Sequence, residues 1–109
     1  MKLVKKNGID VLEIQGEIVF ESSNDIKHRA KEILEEGDLK KVVIDLQNVP
    51  FIDSSGVGVL ISLFKHQAEK EGEIVLAAPT KKVSRVLELT RMDKILDIHD
   101  TVEAAVGEV

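Results

Sequence analysis

Val42-Val43-Ile44-Asp45-Leu46, followed by Pro50 and then by Asp53-Ser54-Ser55-Gly56, is the stretch on which the fold turns. Its first five residues form a short apolar run rich in β-branched side chains, the pattern of a strand covered on both faces. Pro50 and the Asp-Ser-Ser-Gly segment make the turn after it, and apolar residues resume from Val57 with helical spacing. The spacing predicts a helix over 54–71, stopped at Gly72. A covered strand that runs through a turn into a helix is one half of a strand–helix–strand unit.

The remaining elements are read outward from this unit. Asn7-Gly8 between residues 2–6 and 9–15 is a hairpin signal. In the second of these strands Ile9 and Val11, with Glu13, face one way, while Leu12 and Ile14 face the other. A helix is expected to start near Ser22, with Asp25 three residues on as in a capping box. Ile26, Ala30, Ile33 and Leu34 give it an apolar stripe, and Gly37 closes it. After Gly72, residues 73–78 read as a strand, and Pro79-Thr80 opens a third helix running to about Leu89. A last strand over 95–98 and a C-terminal helix from Thr101 complete the chain. Strands alternating with helices predict an α/β fold: a mostly parallel central sheet, an N-terminal hairpin and about four helices, in a single domain over residues 1–109.

Composition narrows the functions. Apolar residues make up 43% of the 109, enough for a continuous core. A net charge of -5, no Trp or Tyr and only three Phe argue against nucleic acid, which demands a basic stripe and favours aromatic platforms. The absence of cysteine removes disulfides, thiolate metal sites and cysteine nucleophiles. No stretch approaches the roughly 18 apolar residues of a membrane span. The N-terminus, Met1 to Gly8, lacks the apolar core of a signal peptide, so a cytoplasmic location without membrane attachment is expected.

The start of the second helix carries the functional signal. At about 100° per residue, Val57, Leu60, Ile61, Phe64 and Ala68 share one face, which is assigned to the sheet. Ser54, three residues before Val57, then turns toward the packed side and caps the helix. Ser55 turns toward solvent, with Gly56 and Gly58 leaving the first turn bare. Val59 and Leu63 fall on the outward side beside Ser55 and are assigned to a partner surface. Capping alone would also explain both serines. A second candidate partner patch is Leu89 with Met92; packing against the strand over 95–98 is the alternative for these two.

The run Phe51-Ile52-Asp53-Ser54-Ser55-Gly56-Val57-Gly58-Val59-Leu60 resembles the signature of the anti-sigma-factor antagonists, the bacterial form of the STAS domain. Gly16-Glu17-Ile18, Val42 to Leu46, Val83 to Leu89 and Asp93-Lys94-Ile95 fall in matching order, so the likeness spans nearly the whole chain. The resemblance implies that Ser55 is phosphorylated by an anti-sigma factor that is itself a serine kinase. It further implies that the unphosphorylated form binds that factor and frees the sigma factor, and that a serine phosphatase resets the switch. Many relatives carry an acid two positions after the Glu of the Gly-Glu motif, where this chain has Val19. The alternative within the same fold is an interaction module unconnected with sigma factors: a signalling scaffold or a subunit of a transport complex.

Catalytic readings fare worse. The nucleophile elbow G-x-S-x-G is absent, since Ile52-Asp53 precedes Ser54. The dinucleotide pattern started by Gly56 and Gly58 breaks at Ile61, and no Walker-A sequence occurs. His28, His66 and His99 are isolated and read as surface residues, so neither a metal nor a cofactor is expected. No Lys or Arg lies between Lys41 and Lys65 to pair locally with a phosphate on Ser55, and Asp53 opposes one. Phosphorylation is therefore expected to act on the partner interface, with little refolding of the chain.

Overall fold

The computed structural model describes residues 1–107. Its sheet has five strands in the order β1 (Lys2–Lys6), β2 (Ile9–Gln15), β3 (Lys41–Asn48), β4 (Glu73–Ala77) and β5 (Ile98–His99). β1 and β2 are antiparallel, whereas the β2–β3, β3–β4 and β4–β5 pairs are parallel. Asn7 and Gly8 both take positive φ, 52° and 78°, as a two-residue hairpin turn whose twist matches its strands requires. Each parallel pair needs a crossover, and the chain supplies three: α1 (Phe20–Glu36), α2 (Ser54–Glu69) and α3 (Lys81–Leu89).

All three crossover helices cover one face of the sheet. Ile26, Ala30 and Leu34 of α1, Leu60 and Leu63 of α2, and Val83 and Leu87 of α3 close over Leu12, Ile14, Ile44, Leu46 and Leu76. Each fully buried Leu or Ile there contributes about 1.5–3 kcal/mol of transfer free energy. The opposite face is smaller: Val11, Val43, Val75 and Ala77 pack under Val102, Ala105 and Val106, on or next to α4 (Val102–Ala105). The Asn7 side-chain amide donates to the Val106 carbonyl at 2.6 Å, tying the hairpin turn to that C-terminal cover. The alternation expected along β2 is present, with Val11 on the α4 face and Leu12 and Ile14 on the other.

Several boundaries differ from expectation by two residues or more, one of them the end of α2, at Glu69 instead of 71, where Glu71 takes a positive φ of 60°. α1 starts at Phe20, two residues before Ser22, with extended Val19 at the N-cap position. The Ser22 hydroxyl accepts the Val19 N–H at 3.1 Å and donates to the Glu17 carbonyl at 2.8 Å. It satisfies the turn from inside the helix, which frees the residues before it to become helical. The last strand is Ile98–His99 instead of 95–98, because Met92–Lys94 forms a turn of 3-10 helix after Arg91, whose φ is 60°. His66 is also not a surface residue. Its side chain is 15% exposed, with Nε2 2.6 Å from Glu35 Oε1 and Nδ1 3.1 Å from Gln67 Oε1.

Candidate functional site

β3 ends at Asn48, and the chain then runs extended beside the segment that leads into α1. Ile18 and Ile52 form an isolated parallel bridge, in which the Ile18 N–H donates to the Phe51 carbonyl at 3.1 Å. This seam brings the N-termini of α1 and α2 side by side. A single carboxylate then serves both helices: Asp53 Oδ1 accepts the Gly56 N–H at 3.0 Å and Oδ2 accepts the Phe20 N–H at 3.1 Å.

The N-cap of α2 is therefore Asp53, and the expected capping role of Ser54 is corrected. Asp53 holds the extended backbone (φ -111°, ψ -167°) that an N-cap needs. Ser54 is already helical and its side chain is exposed, so it does not face the packed side. The Asp53 carboxyl is held below its ordinary value, chiefly by the Gly56 N–H. Partial burial opposes the effect, and the Phe20 and Ser55 N–H groups reinforce it. With the folded value below the unfolded one of about 3.9, its stabilising contribution is complete above that pH and is lost as pH falls through the folded value. Asp53→Ala should thus lower the melting temperature near neutral pH, with the gap to wild type closing as pH falls through the lowered folded value. Thermal melts across pH check this, and a gap that stayed constant would reject it.

Gly56 sits where a side chain has no room: a Cβ there would lie 2.2 Å from the Ile18 carbonyl oxygen and 2.9 Å from Ile52 Cβ. The glycine lets α2 press its first turn against the Ile18–Ile52 seam. Ser55 follows on the other side of that turn, half-buried at the edge of a groove of about 570 Å³ between α1 and α2. Phe20, Ser23, Lys27, Gly58 and Ser62 line the groove with it. Among the described residues the Ser55 hydroxyl enters no side-chain hydrogen bond. It is accessible from the groove, although less open than a fully outward position.

The partner surface assigned to Val59 and Leu63 is corrected. Both side chains are in the core, 3% and 0% exposed, and only Val59 also lines the groove beside Ser55. The buried face of α2 is Gly56, Val57, Val59, Leu60, Leu63 and Gln67, turned by roughly 90° from the face read off the sequence. Of the residues assigned to the sheet, Ile61 and Phe64 are only half-buried and Ala68 is exposed. The cause is Gln67, a polar residue at the centre of the buried face. Its amide donates to the Leu39 and Lys40 carbonyls at 2.7 and 2.9 Å, which satisfies it in a place a hydrophobic pattern does not predict. The Leu89–Met92 patch also separates: Leu89 is 73% exposed, whereas Met92 is 1% exposed and belongs to the core, as the packing alternative has it.

Phe20, 75% exposed at the start of α1, and Lys27, one to two turns further along, belong to the site but were not singled out from the sequence. Only the capping pattern around Ser22 bore on Phe20, and nothing local pointed to Lys27.

Comparison with known proteins agrees with this fold. An anti-sigma-B factor antagonist of Bacillus subtilis is 30% identical over 105 residues, covering 94% of both chains. An anti-sigma F factor antagonist of Paenibacillus polymyxa is 28% identical over 102 residues, covering 94% of this chain and 87% of the relative. The crystal structure of a Thermotoga maritima protein, 29% identical, superposes with a TM-score of 0.88 over 99% of this chain and 92% of that one. The family described as STAS domain matches residues 1–105, almost the full length over which the sheet and its helices were traced. The chain belongs to the STAS domain family.

Proposed function

We propose that this protein is an anti-sigma factor antagonist, a non-catalytic binding protein of the cytoplasm whose grip on its partner is switched by phosphorylation of Ser55. The observation that carries the reading is a serine hydroxyl without a side-chain partner, on a rigid helix start, at the mouth of a groove. Asp53 and Gly56 hold that start in place from behind, so the hydroxyl is presented in one position. The names of the Bacillus and Paenibacillus relatives support the anti-sigma factor as the partner class.

In this reading the unphosphorylated chain binds an anti-sigma factor with serine kinase activity through the surface around Asp53, Ser54, Ser55 and Gly56, with Phe20 as its exposed apolar anchor. Ser55 Oγ attacks the terminal phosphorus of the ATP held by that kinase; the hydroxyl proton passes to a base of the kinase and ADP leaves. The product carries about -1.5 to -2 charges where the unmodified serine was neutral. Desolvating that charge against a bound partner costs several kcal/mol, and each 1.4 kcal/mol weakens binding about tenfold. A serine phosphatase removes the group and restores binding.

The test is mass spectrometry after incubation with the anti-sigma kinase, together with binding of two variants. Label is expected on Ser55, absent in Ser55→Ala, which should keep its affinity. Ser55→Asp should weaken binding by roughly tenfold or more. The sharpest competitor is Ser54, which is more exposed than Ser55; label on Ser54, Ser22 or Ser84 would reject the assignment. A pull-down that returned a transport subunit or scaffold and no kinase would favour the other module reading.

A further inference from the structure

We infer that Lys27 is the residue that receives the phosphate on Ser55, holding it across the groove between α1 and α2. The inference rests on the reading of Ser55 as the modified residue. Along the chain no cation is near Ser55, since none lies between Lys41 and Lys65. Packing of α1 against α2 changes that. Lys27 lines the same groove as Ser55 and, among the described residues, is the only Lys or Arg that does.

The charge of Lys27 is not spent elsewhere. Among the described residues it takes part in no ion pair within 4.0 Å; Lys5, Arg29, Lys41, His66 and Lys70 do. Its neighbours on α1 at the positions that face it are Ser23, Asn24, Ala30 and Lys31, none of them an acid. Its stem is half-buried along the groove, and a lysine can extend its ammonium from such a stem toward an anion. The hydroxyl of Ser62 lines the same space and adds a hydrogen-bond donor, whereas that of Ser23 already donates to the Phe20 carbonyl at 3.1 Å.

Two acids bear on the phosphate. Both Asp53 carboxylate oxygens already accept the N–H groups of Gly56 and Phe20, which engages much of their charge. Glu21 lines the groove but is exposed on the first turn of α1, where its charge is screened. A dianion on Ser55 thus finds one free cation within the space it must occupy. Held there, it fills the groove that a partner side chain would enter, and release of the partner follows from occupancy as well as from charge.

The experiment installs phosphoserine at position 55 of the full chain by genetic encoding, in the wild-type background and with Lys27→Gln or Lys27→Arg. Phosphorus NMR then follows the second ionisation of the phosphate across pH. A phosphate paired with a cation ionises more readily, so the wild-type midpoint should lie roughly 0.5–1 pH units below that of Lys27→Gln. Lys27→Arg should retain the lowered midpoint, which a merely structural role for Lys27 would not require. Equal midpoints in wild type and Lys27→Gln would overturn the proposal. Because the phosphate is placed at Ser55 directly, that failure is distinct from failure of the kinase to choose Ser55, which the mass mapping reads separately.

Discussion

Gly56→Ala is expected to destabilise the protein by about 3 kcal/mol or more, while Gly58→Ala, two residues along the same helix, should stabilise it by about 0.5–1 kcal/mol. The opposite signs come from space and not from helix propensity. At Gly56 a new Cβ meets the Ile18 carbonyl oxygen at 2.2 Å and the Ile18 carbonyl carbon at 3.2 Å, both backbone atoms that cannot rotate away. Relief would require prising apart the Ile18–Ile52 bridge, and with it the shared Asp53 cap on two helices. At Gly58 a Cβ meets nothing within 4 Å, so the substitution only removes backbone freedom from the unfolded chain. Urea unfolding midpoints of the two variants decide the matter. If both shift in the same direction, the close approach of α2 to the Ile18 segment is not as described.

Leu63→Ala should cost about 2–5 kcal/mol, against a change within about 0.5 kcal/mol for Leu89→Ala. The sequence pattern assigns both leucines to partner surfaces. Leu63 is 0% exposed, in the core beneath α1 and α2, so truncation leaves a cavity among fixed neighbours. Leu89 is 73% exposed and loses little by truncation. The same unfolding measurement applies, and a loss at Leu63 below about 1 kcal/mol would return it to the surface. The comparison bears on function too. A Leu63 variant that binds its partner poorly would do so through a loosened fold, whereas Leu89 remains able to touch a partner directly.

These two results bracket how the site is built. Ser55 stands on a helix start whose position is set from behind, by a glycine against a neighbouring backbone and a carboxylate shared between two helices. In the proposed reading, that placement lets a kinase meet the hydroxyl in one position and keeps an added phosphate at the groove. The groove itself belongs to neither helix alone. Phe20, Ser23 and Lys27 come from α1, and Ser55, Gly58 and Ser62 from α2, segments separated in sequence by β3.

The architecture was legible from short-range signals. Asn7-Gly8 specifies the hairpin, β-branched runs mark β3 and β4, and the stripe Ile26-Ala30-Leu34 marks α1, because turn chemistry and periodicity act over a few residues. The start of α2 at Asp53-Ser54-Ser55-Gly56 was legible for the same reason. What packing alone resolved is which side of α2 is inside, which residue caps it, and which cation shares a groove with Ser55. Val57, Val59, Leu60, Ile61, Leu63 and Phe64 surround most of that helix, so its own pattern allows more than one buried face. The choice fell to the contact with α1 and to Gln67, whose buried amide is satisfied only by carbonyls of the distant loop at Leu39 and Lys40. Lys27 joins the groove through that same helix contact, and the nearness of residues 28 positions apart leaves no local trace in the chain.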